Sequence, residues 1–248
     1  MGTKTHTTYT NYKCTSCGHI IVLLEETMDQ RSMYSSASQP SVLQTNKVLR
    51  NTYMLLAMTL AFSAVCAGVA MAVGISPMMS LGMTIGAFIT LFVVQKKADS
   101  SSGIFWVFAF TGLMGASLGY TLNFYLGVAG PGLIMEALGA TALVFFALSG
   151  YVLTTKKDFS FMGGFLVVGL VVVLVAAIAN IFFAVPAVSL AISAAIVFIM
   201  SGFILFDTSR IIHGGETNYI RATVSLYLNI YNLFTAILHL LGAFGGDD

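Results

Sequence analysis

The chain has 248 residues, of which 57% are hydrophobic and only 8% are charged, and its formal net charge is +1. A soluble domain carries about 25% charged residues, so this composition excludes a typical soluble globular protein. The near-neutral balance also excludes the strongly basic surface that a nucleic-acid partner requires. The composition therefore predicts a protein embedded in the lipid bilayer.

The first 46 residues are polar and rich in Ser and Thr, which predicts a mobile tail. Cys14 and Cys17 have the spacing of half a zinc site, but a structural zinc needs four ligands and the sequence has no second Cys pair. We therefore expect no metal and no other cofactor. Met28 is an alternative start, which would make residues 1–27 an upstream extension.

From Thr52 onward the chain contains seven apolar segments of bilayer length. A helix needs about 20 apolar residues to cross a hydrocarbon core of roughly 30 Å. The segments are residues 52–73, 77–95, 103–126, 132–154, 161–183, 187–208 and 222–244. They predict an all-α integral membrane protein whose transmembrane domain covers residues 47–248, with antiparallel hairpins where the gaps are short.

The positive charges in the gaps between segments predict the orientation. The gaps after the second, fourth and sixth segments contain Lys96, Lys97, Lys156, Lys157, Arg210 and Arg221. The gaps after the first, third and fifth segments contain neither Lys nor Arg. Because Lys and Arg are retained on the cytoplasmic side, we expect a cytoplasmic N-terminus and a C-terminus outside.

Glycine pairs four residues apart predict where helices pack closely. Gly82 and Gly86 form one such pair in the second segment, and Gly115 and Gly119 form another in the third. Small residues at this spacing let two helix backbones approach each other in lipid. Both pairs are therefore predicted to lie at helix–helix contacts.

Two regions contain ionisable residues at membrane depth, where a charge costs about 2.5–3.5 kcal/mol on insertion scales. Glu136 lies about one turn into the fourth segment, and it either reaches the outer interface or lines a pore. Side chains at comparable depth that would partner it are Asn180, Tyr120 and Tyr125. Asp207 lies near the inner end of the sixth segment, with Arg210 three residues later. This pair is either an interfacial salt bridge or a cytoplasmic gate that responds to protonation of Asp207.

The seventh segment carries a polar stripe formed by Ser225, Asn229, Asn232, Thr235 and His239. Their spacings of 4, 3, 3 and 4 place them on one face of a helix. Unpartnered polar groups in hydrocarbon cost several kcal/mol each, so the stripe should not face lipid. We therefore expect the last helix to be central, ringed by the other six. The stripe then serves either as internal hydrogen bonding or as the lining of a water-filled path.

The sequence contains no recognisable catalytic constellation. An intramembrane serine protease needs a Gly-x-Ser-Gly motif, and the nearest candidate, residues 147–150, lacks the first Gly. An intramembrane aspartyl protease needs two neighbouring carboxylates, whereas Asp207 and Glu136 are predicted at opposite depths. We therefore expect a protein that is not an enzyme.

Several separated stretches resemble the Bax inhibitor-1 (TMBIM) family. Residues 204–210 and 225–234 are similar to the family signature. The stretches that resemble its bacterial YccA-like branch are residues 47–53, 151–155 and 213–223. The resemblance covers about residues 41–246.

The resemblance implies a seven-transmembrane-helix bundle with the last helix central. For the broader family it implies a pH-sensitive leak of calcium ions. For the YccA-like branch it implies binding to FtsH, the membrane-anchored ATP-dependent protease of the bacterial inner membrane, and modulation of its activity. Family members with the pH sensor have two Asp residues. Asp207 matches the first, but Asn229 occupies the second position and cannot titrate, so the resemblance favours the FtsH role over the cation leak.

Overall fold

The computed structural model describes residues 42–100 and 102–245, and the regular secondary structure in these ranges is entirely helical. The elements are α1 (Val42–Val73), α2 (Pro77–Lys97), α3 (Gly103–Thr155), a 3-10 turn (Ser160–Met162), α4 (Gly163–Phe183), α5 (Pro186–Ile212) and α6 (Tyr219–Phe244). In this part of the chain, six helices are long and apolar enough to cross a membrane. The predicted all-α membrane class is therefore confirmed.

α1 starts earlier than the predicted boundary between tail and transmembrane domain. It begins at Val42, so residues 42–46 are helical and do not belong to the tail. Good helix formers such as Gln44 and Lys47 extend the helix beyond its apolar portion. The rest of the predicted tail, including Cys14 and Cys17, lies outside the described residues.

α3 contains both the third and the fourth predicted segment. As a straight helix its 53 residues would measure about 80 Å, far more than one bilayer core. Its backbone is not helical at Gly130, where φ is 75° and ψ is −179°, a conformation that glycine adopts without steric cost. Pro131 follows directly. We refer to residues 103–129 as α3a and to residues 131–155 as α3b.

α6 is the most buried of the described helices. In its most apolar stretch 44% of the residues are buried, compared with at most 28% in any other candidate span. It packs against α1, α3 and α5, whereas α2 packs on α3 and α4 packs on α5. The expectation that all six other segments ring the last helix is therefore wrong, because α2 and α4 lie one layer away. Both are apolar enough to face lipid instead.

One of the two predicted glycine pairs lies fully at a helix–helix contact, and in the other only Gly86 does, since a Cβ there would lie 3.6 Å from Leu113 Cδ1 on α3a. A Cβ atom at Gly115 would collide with the backbone carbonyl of Ser63, and one at Gly119 would collide with Ala70, so α3a approaches α1 closely. A Cβ at Gly82 would meet nothing within 4 Å. The prediction for Gly82 is wrong, because that position on α2 is exposed on the outside of the bundle.

Candidate functional site

The candidate site is centred on Asp207, which lies near the end of α5 and is only 7% exposed. Ser225 and Asn229 are four residues apart on α6 and therefore share one face of that helix. The Ser225 hydroxyl donates a hydrogen bond of 2.5 Å to Asp207 Oδ2, and Asn229 Nδ2 donates one of 2.7 Å to the same atom. We call these three residues the Asp207 cluster. The two positions that match the pH-sensor positions of the family, Asp207 and Asn229, are thus hydrogen-bonded to each other.

The cluster holds a buried carboxylate through two neutral donors. A carboxylate accepts hydrogen bonds through both oxygens, and donors to the charged form stabilise it. Within residues 42–100 and 102–245, no Lys, Arg or His forms an ion pair with Asp207. A proton or a cation arriving at this carboxylate would therefore neutralise a charge that has no direct counterion. This chemistry suits proton or cation uptake.

Arg210 does not form the predicted salt bridge with Asp207. Its Nη2 donates to the carbonyl oxygen of Gly215 at 3.0 Å and lies 3.7 Å from Glu216 Oε2, while the guanidinium group stacks over Phe206. The turn after α5, where Gly214 has a φ of 74°, brings these acceptors back towards Arg210. Arg210 therefore stabilises the α5–α6 loop instead of neutralising Asp207.

The neighbour of Asp207 connects the cluster to two further helices. The Thr208 Oγ1 atom lies 3.5 Å from Tyr53 Oη on α1 and 3.4 Å from Ser149 Oγ on α3b. Sequence reasoning did not assign these three residues to the site. The available signal was their position: Tyr53 and Thr208 both fall in stretches that carry the family resemblance.

The loop between α2 and α3 is attached to the start of α6. Arg221 Nη2 contacts Asp99 Oδ2 at 2.7 Å, and Asn218 Nδ2 donates to Asp99 Oδ1 at 2.8 Å. Asn218 also caps α6, because its Oδ1 accepts from the backbone N–H of Ile220. Arg221, predicted only as a topological marker, therefore also has a structural role.

The loop between α3 and α4 is attached to the end of α5. The Phe159 N–H donates to Ser209 Oγ at 2.9 Å, and Ser209 Oγ donates to Asp158 Oδ1 at 3.3 Å. His213 Nε2 lies 3.1 Å from the carbonyl oxygen of Lys156. Hydrogen bonds from the side chain and backbone of Ser160 lower the pKa of Asp158 below its usual range. These contacts form a polar latch, which we call the Ser209 latch.

The rest of the α6 stripe is also hydrogen-bonded. His239 Nδ1 lies 2.8 Å from Ser193 Oγ on α5. Asn232 and Thr235 donate to main-chain carbonyls of α6 itself, at 2.8 Å and 3.0 Å. The stripe therefore contacts α5 near both ends of α6, and these bonds support the internal hydrogen-bonding interpretation over a continuous water-filled path.

Glu136 is not part of this arrangement. Its side chain is exposed on α3b, and in the described ranges it forms neither a hydrogen bond nor an ion pair. Asn180, one of its predicted partners, instead donates to Ser189 Oγ at 2.7 Å and accepts from the N–H of Val185. Glu136 as a pore residue stays a prediction.

The described residues contain no group of three or more His, Cys, Asp and Glu side chains that could hold a metal ion. The weak zinc candidate, Cys14 and Cys17, falls outside these residues. The Asp207 cluster itself combines one carboxylate with a hydroxyl and a carboxamide.

Comparisons with known proteins agree with the sequence resemblance. The family described as "Inhibitor of apoptosis-promoting Bax1" matches residues 45–246. The chain is 54% identical to "Modulator of FtsH protease YccA" of Escherichia coli K12 over 213 residues, which is 86% of this chain and 97% of that protein. "Inner membrane protein YccA" of E. coli O6:H1 has the same identity and coverage. An "Uncharacterized membrane protein" of Vibrio cholerae is also 54% identical, over 86% of this chain and 96% of its own length.

Proposed function

We propose that this chain, which belongs to the Bax inhibitor-1 family, binds the membrane-anchored ATP-dependent protease FtsH and modulates its activity. The observation that carries the proposal is the 54% identity to a protein named as a modulator of FtsH, over 97% of that protein. The similarity therefore extends over 86% of this chain and is not confined to one short motif. These relatives are named as membrane proteins and as a modulator of a protease, and not as enzymes.

The proposal includes a location in the bacterial inner membrane with seven crossings and a central last helix. The break at Gly130 supports counting α3a and α3b as separate crossings, because each is close to bilayer length. The contacts of α6 with α1, α3 and α5 support its central position. The alternation of basic and uncharged gaps supports a cytoplasmic N-terminus and a periplasmic C-terminus.

The surface that meets FtsH is proposed to include the cytoplasmic tail and the adjoining helical surface. At the basic end of the bundle, the Asp99–Arg221 pair and the Ser209 latch fix two loops to α5 and α6. A fixed loop presents a preformed surface, which lowers the entropic cost of binding a partner. FtsH and the lipid bilayer are thus the expected partners.

Co-purification followed by a degradation assay tests this function. The full chain is extracted with FtsH in mild detergent, and degradation of a membrane-protein substrate is timed with and without the chain. We expect FtsH to co-purify and the degradation rate to change. Asp99→Asn weakens the attachment of the α2–α3 loop to the start of α6, so this variant should bind FtsH less than the wild type does. Val172→Ala, at an exposed position on α4, is the control and should bind FtsH as the wild type does. No binding together with unchanged proteolysis would reject the proposal.

A pH-sensitive leak of calcium or other cations is the second candidate function. The buried carboxylate of Asp207, held without a direct counterion, is the observation that favours it. Calcium influx into proteoliposomes containing the wild type is compared with influx for Asp207→Asn at several pH values. Flux that the variant abolishes would support this function, and absence of flux at every pH would exclude it.

A further inference from the structure

A lateral groove of about 480 Å³ lies between α1 and α3b, and α6 forms its floor. On α1 it extends from Tyr53 to Met71, and Ile230 belongs to its floor. Leu138 and Phe146 line the α3b side and are exposed on the outside of the bundle. Since these helices are candidate membrane spans, the groove opens sideways at the depth of the lipid acyl chains.

The dimensions of the groove match one hydrocarbon chain. Tyr53 and Met71 are 18 residues apart, a distance of about 27 Å along a helix. A volume of about 480 Å³ spread over this length makes the groove long and narrow. A helix about 10–12 Å wide occupies about 2,000–3,000 Å³ over the same length, several times that volume. A single acyl chain fits, since its carbons contact their neighbours at about 3.5–4.0 Å.

The polar groups in the groove are already paired within the protein. Ser63 Oγ and Tyr227 Oη are 2.7 Å apart, and Tyr231 Oη lies 3.3 Å from Ser117 Oγ. These pairs leave a lining that is almost entirely apolar. Such a surface suits a hydrocarbon chain and gives a polar ligand no free group that would orient it.

The positively charged side chain of Arg50 lies on the groove-lining face of α1, at the basic end of that helix. Arg50 precedes Ala57 by seven residues, and Ala57 precedes Ala64 by seven, so all three lie on one face of α1. Arg50 is exposed and forms no ion pair with any of residues 42–100 and 102–245. It lies one helical turn before Tyr53, where the groove begins, and the strongly apolar run of α1 starts only after it, so we infer that it lies at the level of the lipid headgroups.

We propose that the groove binds one acyl chain of an anionic phospholipid from the surrounding bilayer, and that Arg50 binds its phosphate. The charge of Arg50 is complementary to the headgroup, and guanidinium groups bind phosphate through paired hydrogen bonds. The bound lipid completes the surface between α1 and α3b. This inference goes beyond the proposed function and does not depend on FtsH binding.

Native mass spectrometry of the full-length protein in detergent tests the acyl-chain site. The protein is titrated with phosphatidylglycerol and phosphatidylethanolamine of identical acyl chains. A Cβ at Gly68, on the groove, meets nothing within 4 Å, so Gly68→Leu fills the groove without a collision inside the protein. We expect it to weaken binding of both lipids about tenfold. Gly82→Leu, equally open but on α2, is the matched control and should bind both lipids as the wild type does.

The headgroup contact is tested separately. Arg50→Gln should weaken phosphatidylglycerol binding about fivefold, because one cation near an anionic headgroup contributes about that factor. It should weaken phosphatidylethanolamine binding less, because the ammonium group of that headgroup offsets the charge of its phosphate. Lys96→Gln, at an exposed position on α2 that does not line the groove, is the control and should retain the wild-type preference. Ala142→Leu fills the groove from α3b and replaces Gly68→Leu if that variant lowers the thermal midpoint.

Three results would overturn the proposal. Wild-type lipid binding in both Gly68→Leu and Ala142→Leu would show that the groove holds no lipid. Equal weakening by Gly82→Leu would show that the lipid binds the surface without a site. If Gly68→Leu and Ala142→Leu lost FtsH co-purification but bound lipid as the wild type does, a partner segment and not a lipid would occupy the groove. Weaker lipid binding with intact FtsH co-purification would support the lipid site alone.

Discussion

α6 and α4 are both helices of bilayer length, but they occupy opposite positions in the bundle. α4 is the most apolar candidate span and α6 the least apolar, yet 44% of the α6 stretch is buried compared with 17% of the α4 stretch. α6 packs against α1, α3 and α5, whereas α4 packs only on α5 and the adjoining 3-10 turn. In this protein the least apolar candidate span lies inside.

The burial of the least apolar helix and the exposure of the most apolar one follow from the lipid that surrounds the protein. Exposed α4 side chains such as Phe165 and Phe182 lose nothing by facing acyl chains, because lipid is as apolar as the protein interior. The polar groups of α6 need partners, which lipid does not supply. Ser225, Asn229 and His239 find these partners on α5. In a bilayer, polarity therefore selects the central helix.

The largest expected effect comes from deleting core volume in α6. Leu233 is completely buried, so Leu233→Ala leaves a cavity and should lower the free energy of unfolding by about 2–4 kcal/mol. Val172 on α4 is 61% exposed, and lipid can fill the space in Val172→Ala. That variant should change the free energy of unfolding by less than about 0.5 kcal/mol. SDS titration in mixed micelles measures both values, and equal losses would contradict the inverted arrangement.

The second prediction concerns Asn229, the α6 residue at the position where family members with the pH sensor have a second Asp. In Asn229→Asp a second carboxylate replaces a donor 2.7 Å from Asp207 Oδ2. Two carboxylates at this distance repel each other unless they share a proton. The variant should therefore be about 2 kcal/mol less stable than the wild type at pH 8 and regain most of that loss at pH 5.

Thermal unfolding in detergent between pH 8 and 5 measures this effect. Asn232→Asp is the control, because Asn232 donates within its own helix and does not contact Asp207. It should not show the same recovery at low pH. An Asn229→Asp variant whose thermal midpoint is independent of pH would mean that the two carboxylates do not interact.

The features that could be predicted from the sequence are those that depend on the spacing of apolar and polar residues along the chain. Segment boundaries followed from apolar length, and the polar stripe and the family signature singled out Asp207 and Asn229, which the structure joins by a hydrogen bond. The sequence did not predict that Arg210 turns away to Glu216, because that choice depends on the loop conformation after α5. The sequence also could not show that α1, α3 and α5 pack against α6 whereas α2 and α4 do not. An apolar helix surface can face either lipid or protein, so its sequence does not reveal which it contacts.

The third prediction compares single hydrogen bonds of α6 and α4. Ser193→Ala removes the partner of His239, a bond between α5 and α6, and should cost about 1 kcal/mol in the free energy of unfolding. Ser189→Ala removes the partner of Asn180 at the α4–α5 turn, where Asn180 is only partly buried and still accepts from the N–H of Val185. It should cost less than half as much. SDS titration of both variants checks the order, and a larger cost for Ser189→Ala would reverse the comparison.

The smallest expected effect concerns the Ser209 latch, which attaches the loop before α4 to the end of α5. Asp158 is exposed, and its pKa is lowered by hydrogen bonds from Ser160, so its contribution to stability is present above the unfolded-state pKa of about 3.9. That contribution is lost as the pH falls through the lower pKa of the folded state. The thermal midpoint of Asp158→Asn should therefore lie slightly below that of the wild type by a constant amount from pH 8 to 5, and the difference should shrink as the pH falls below about 3.9. A difference that closes already between pH 7 and 5 would contradict the assignment of this effect to Asp158.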